Sequence, residues 1–71
     1  MKRKPVTSAV IASVGYKPDT MMLEIEFRST GFVYRYFDVP EIEFRKLMNA
    51  ESIGRYFNKN IKDDYRYVQT R

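Results

Sequence analysis

Leu23-Glu24-Ile25-Glu26-Phe27-Arg28-Ser29-Thr30-Gly31-Phe32-Val33-Tyr34-Arg35-Tyr36-Phe37 is the run from which the fold is read. Leu23, Ile25 and Phe27 alternate with Glu24, Glu26 and Arg28, the two-residue period of a strand with one buried face and one wet face. Ser29-Thr30-Gly31 has the composition of a turn. Phe32 to Phe37 is dense in aromatic and β-branched residues, which suit a pleated surface. Phe32, Tyr34 and Tyr36 fall on one face of that strand, and Val33, Arg35 and Phe37 on the other. Upstream, Val10, Ala12, Val14 and Tyr16 alternate with Ile11, Ser13 and Gly15, and Lys17-Pro18-Asp19-Thr20 is the connecting turn. The three runs predict a three-stranded antiparallel β-meander.

Downstream the period changes. Asp38-Val39-Pro40 ends the third strand, and Pro40 suits the first position of a helix because its missing N–H would lack an intrahelical partner anyway. Glu41 and Glu43 lie in that first turn, where carboxylates favour the positive end of the helix dipole. Phe44, Leu47 and Met48 are spaced i, i+3, i+4, so a short amphipathic helix ends near Asn49 or Ala50. Ser52 is an N-cap for a second helix, in which Ile53, Phe57 and Ile61 form an apolar stripe opposite Arg55, Lys59 and Lys62. Asp64 would fall in that stripe, so this helix is expected to stop near Lys62 or Asp63. Residues 65–71 read either as a short strand or as a frayed end. The order β-β-β-α-α, with both helices on one sheet face, is a two-layer α+β domain. Residues 1–7 read as a mobile basic tail, 8–66 as the single domain and 67–71 as a C-terminal tail.

A 71-residue chain buries only about 60% of its unfolded surface, so its core has little margin. There is no Cys and no His, which excludes disulfides, thiolate metal sites and imidazole chemistry. Five Phe and six Tyr supply the bulk, each removing roughly 150–250 Å² from water when buried. No run reaches the roughly 20 apolar residues of a membrane span, and the basic start Met1-Lys2-Arg3-Lys4 is followed by too short an apolar run for a signal peptide. The expectation is a cytoplasmic protein. The net charge of +4 is placed at the ends: residues 1–4 carry +3, residues 55–71 carry five cations against two anions, and the segment between carries five against seven. A localised basic surface points towards nucleic acid or another polyanion.

The ordered set Gly15-Tyr16, Leu23 to Phe27, Val33-Tyr34-x-Tyr36, Val39-Pro40, Leu47, Ala50-x-Ser52-x-Gly54-x-Tyr56-Phe57-Asn58 and Ile61 closely resembles the KTSC domain. That domain takes its name from the C-terminus of some lysyl-tRNA synthetases, and it also occurs as small stand-alone bacterial and phage proteins. The resemblance covers roughly residues 8 to 66. Lys17 stands where family members often carry an acidic residue, and the turn from Ser29 to Phe32 is one residue longer. Attachment to a tRNA ligase implies contact with RNA.

The candidate site is Ser52, Gly54, Arg55, Asn58, Lys59 and Lys62. Gly54 in a first helical turn costs about 1 kcal/mol relative to Ala. Two explanations stand: close approach of a phosphate to bare N–H groups, or close packing of the helix against the sheet or the preceding helix. Arg55, Lys59 and Lys62 read either as phosphate ligands or as the solvated side of an amphipathic helix. Asn58 reads as a local hydrogen-bonder or a base contact. Tyr34, Tyr36 and Tyr56 read as base-stacking rings or as core. Glu24 with Glu26, and Asp63 with Asp64, are paired carboxylates with no nucleophile beside them and no calcium-loop spacing, so solvated charges account for them. No catalytic residue, metal or cofactor is assigned. The expected function is a non-enzymatic module contacting RNA or other nucleic acid through phosphates; the alternative is a protein-interaction module using a sheet edge or an apolar patch.

Overall fold

In a computed structural model of residues 1–71, the alternating run becomes the central strand of a five-stranded antiparallel sheet. The elements in chain order are β1 (Lys4–Pro5), β2 (Ile11–Lys17), β3 (Met22–Phe27), β4 (Val33–Tyr36), α1 (Glu41–Met48), α2 (Ile53–Asn60) and β5 (Tyr67–Gln69). The strands lie in sequence order, β1-β2-β3-β4-β5. The meander of β2, β3 and β4 is as expected. The expected count of three strands is corrected to five: one edge of the meander pairs with a segment read as a mobile tail, and the other with residues 67–69, for which the short-strand reading of 65–71 holds. Lys4 and Pro5 pair with Val14 and Ser13, and Tyr67, Val68 and Gln69 pair with Tyr36, Arg35 and Tyr34.

The faces of the sheet follow from register. Leu23 lies opposite Tyr36 and Tyr16, and Ile25 opposite Tyr34 and Val14, so these side chains share the helix-covered face. A bulge between Ile11 and Ser13 breaks the period of β2. It puts both Ile11 and Val14 in the core while Val10 stays exposed. Leu47 of α1, Phe57 of α2 and Ile61 just beyond it complete one cluster with Ile11, Val14, Leu23, Ile25, Tyr36 and Val39. Pro40 is the N-cap of α1, one position earlier than expected, and Asn49 is its C-cap.

The opposite face is not the wet surface that the alternation predicted. Glu24 is only 4% exposed. Arg3 Nη1 donates to its Oε1 at 2.7 Å, while Arg35 Nη2 and Nε donate to Oε2 at 2.8 and 3.2 Å. Both carboxylate oxygens are thereby satisfied, the condition on which a buried charge is tolerated. Gly15 makes the approach of Arg3 possible: a Cβ there would lie 2.9 Å from the Lys2 carbonyl oxygen and 3.0 Å from Arg3 Cγ. Residues 1–3 therefore lie over this face of the sheet, held by the charge of Arg3, while Lys4 and Pro5 pair along its edge.

Candidate functional site

The site begins with the cap of α2. Ser52 has extended backbone and its Oγ accepts from the Arg55 N–H at 3.2 Å, so the hydroxyl occupies one unpartnered first-turn donor. The helix ends at Asn60, earlier than expected. There the backbone tightens, with the N–H groups of Ile61 and Lys62 both donating to the Phe57 carbonyl at 3.0 and 2.9 Å. Lys62 therefore lies just outside the helix.

Burial separates the two sides of α2. Gly54, Phe57 and Ile61 are buried, whereas Arg55, Asn58, Lys59 and Lys62 are exposed. Of the two readings of Gly54, the structure carries the packing one, with a different partner from either expected. A Cβ there would meet Val10 Cβ at 3.1 Å and Ser8 Oγ at 3.3 Å, in the segment leading into β2. That segment is itself fixed, since Ser8 Oγ accepts from the N–H groups of Val10 and Ile11 at 3.1 Å each.

The exposed cations are unneutralised. The four ion pairs of the molecule are Arg3–Glu24, Arg35–Glu24, Arg45–Glu41 and Arg71–Glu26, and none of them uses Arg55, Lys59 or Lys62. Two open clefts flank this side of the helix. One, of about 360 Å³, is lined at the N-terminal end by Ser52, Gly54 and Arg55 together with residues 7–10 and Glu51. The other, of about 330 Å³, lies at the C-terminal end and is lined by Phe27, Phe32, Tyr34, Tyr36, Phe57 and Tyr67, with Asn58, Lys62 and Asp63 among its polar residues. Asn58 lines both clefts, and Lys59 lines neither.

The three tyrosines considered for stacking have separate fates. Tyr36 is in the core at 2% exposure. Tyr56 is half-buried and its hydroxyl donates to Glu43 Oε1, while Tyr65 donates to Oε2 of the same carboxylate at 3.0 Å. Burial, then the Glu43 carboxylate, push both hydroxyls up to about 12, so they stay protonated donors at neutral pH and tie α1 to α2 and the turn after it. Tyr34 is the one left at the surface, half-buried, its ring stacked on that of Tyr67 with centroids 5.2 Å apart and planes 9° apart. Sequence reasoning missed Phe32 and Tyr67 as cleft residues. The alternation of Tyr65 and Tyr67 in the last segment was the available signal.

Carboxylates are already engaged elsewhere. Glu24 is held by two guanidinium groups, and Glu26 accepts from Ser13 Oγ at 2.8 Å and from Arg71 at 3.2 Å. Burial alone would raise the Glu24 carboxyl, but the hydrogen bonds from Arg35 and Arg3 outweigh it and hold the group below the usual carboxylate range. No group of three or more acidic residues is gathered that could hold a metal ion, and no helix is long and apolar enough to cross a membrane.

Residues 7–65 match the family model described as the KTSC domain. An uncharacterized protein of Stutzerimonas stutzeri is 44% identical over 68 residues, covering 94% of each chain. A lysine–tRNA ligase of a Nostoc species is 44% identical over 59 residues, which is 83% of this chain and 10% of the ligase. The crystal structure of a KTSC domain protein from Yersinia pestis superposes with a TM-score of 0.91 at 44% identity, covering 96% of this chain and 94% of that one.

Proposed function

The chain belongs to the KTSC domain family, and from that premise we propose that it is a non-enzymatic binding module that contacts RNA through phosphate groups along the exposed side of α2. The observation that carries this reading is the trio Arg55 and Lys59 on α2 and Lys62 just beyond its end, all exposed and absent from every ion pair of the molecule. Cations without protein partners are available to phosphate oxygens, and such contacts do not depend on base sequence. A similar stretch within a lysine–tRNA ligase, a protein whose substrate is an RNA, supports the choice of nucleic acid. Engagement of Glu24, Glu26 and Glu43 by Arg, Ser and Tyr partners supports a binding role over a catalytic one. The lack of cysteine suits the reducing cytoplasm as its compartment. Ser52 and Gly54 serve the site by capping and seating the helix.

A second reading rests on the edge formed by β5, where Tyr67 and Val68 are 50% and 47% exposed. An exposed edge is a template for pairing with another chain.

Titration of labelled protein with a single-stranded RNA at several salt concentrations tests the first reading against the second. Three single-strand phosphate contacts give a slope of log affinity against log salt of about −2, and one contact gives roughly −0.7. Arg55→Gln combined with Lys59→Gln is expected to flatten the slope accordingly, with the circular dichroism spectrum unchanged. Unaltered affinity and slope would sink the phosphate reading. Concentration-dependent mass without RNA binding would transfer the function to the β5 edge.

A further inference from the structure

We propose that the aromatic cleft at the C-terminal end of α2 receives an unpaired base of a single-stranded RNA whose phosphates run along the helix. This rests on the reading of α2 given above and adds the strandedness of the ligand. Phe32 and Tyr67 are 43% and 50% exposed although aromatic. They come from distant parts of the chain, the turn before β4 and strand β5, and meet around one opening with Tyr34. The parallel rings of Tyr34 and Tyr67 are already in a stacked arrangement, the geometry that a planar base extends. A volume of about 330 Å³ lies at the lower end of the range usual for ligand sites.

The polar residues of the cleft set the orientation. Asn58 of α2 and Lys62 just beyond the helix end both line this cleft, and Asn58 also lines the cleft that holds Arg55. A strand following the helix thus meets cations on the way to the rings. Asp63 lines the aromatic cleft as well. A carboxylate repels phosphate and accepts hydrogen bonds from the amino and imino groups of a base, so the base enters and the phosphate stays beside Lys62. The bases of a duplex are stacked on one another and cannot enter, so the cleft selects single strands.

The test compares a single-stranded RNA hexamer with a blunt RNA duplex of equal phosphate number at one salt concentration. The expected result is tighter binding of the single strand. Phe32→Ala, at an exposed turn, and Tyr67→Ala each weaken the single strand roughly 5- to 150-fold, the range that corresponds to one lost stack, and leave duplex affinity and the salt slope as they were. Equal affinity for the two RNAs with no effect of either substitution overturns the base cleft while leaving the phosphate reading intact. Failure to bind either RNA overturns both. Self-association that is lost in Tyr67→Ala, without RNA binding, assigns the cleft to a second copy of the chain and overturns the proposal.

Discussion

On one side of β3, Leu23 and Ile25 have no exposure and pack among Leu47, Phe57 and Ile61; on the other side, one residue along, Glu24 is nearly as buried beneath Arg3 and Arg35. The degree of burial is similar and the cause is opposite. The first face is driven out of water, each large apolar side chain contributing about 1.5–3 kcal/mol. The second is a charged group taken out of water and compensated. Its net contribution is small because desolvation offsets the Coulomb attraction, yet removing one partner leaves the others uncompensated. Low exposure therefore does not by itself reveal how a side chain contributes.

The largest expected effect breaks the apolar face. Phe57→Ala removes a ring that packs edge-on against Phe27 and Tyr36, at a cost of about 3–5 kcal/mol in denaturant unfolding. For a domain of this size, that is a large share of total stability. Glu24→Gln is the matching change on the charged face. Arg3 and Arg35 are partly exposed and can recruit water, so the expected cost is smaller, about 1–3 kcal/mol. A loss equal to that of Phe57→Ala would erase the distinction between the faces. The pH profile sharpens it further. Because the folded-state value of Glu24 lies below its ordinary 4.5, its contribution is complete above 4.5 and is lost as pH falls through the lower folded value. Urea unfolding as a function of pH should show this acid loss in the natural protein and a shallower one in Glu24→Gln. Smallest is Ser52→Ala, about 1 kcal/mol. It frees the Arg55 N–H and touches neither face, so faster hydrogen exchange at Arg55 with an intact core is the outcome to look for.

The parts of this fold that were legible in the sequence are those whose signal is local. Leu23, Ile25 and Phe27 announce β3 within a few residues, and Ile53, Phe57 and Ile61 announce the buried side of α2, with Arg55, Lys59 and Lys62 opposite. β1 has no such signal: Lys4 and Pro5 carry no apolar period, and the contact that anchors the segment joins Arg3 to Glu24 across 21 residues. The bulge in β2 also escaped, because alternation cannot show where one residue is skipped. At the site, the cation side of α2 was readable from a helical wheel. The aromatic cleft was not, since Phe32, Asn58 and Tyr67 belong to three separate segments that only the sheet and helix packing bring together.

Strand β5 is three residues long, fully exposed in pattern, and pairs with β4 only after both helices have intervened. It has no place in the buried cluster. Its Tyr67 ring nevertheless lies 5.3 Å from that of Tyr36, a member of that cluster, so opening of β5 uncovers one edge of the core as it carries Tyr67 away from Tyr34. The cleft depends on the docking of this strand, because Tyr67 is part of its lining. Any occupant in contact with Tyr67 holds that strand down, slowing exchange at the Val33, Phe37 and Thr70 amides that bridge the β4–β5 edge, and occupancy becomes a way of closing the end of the chain.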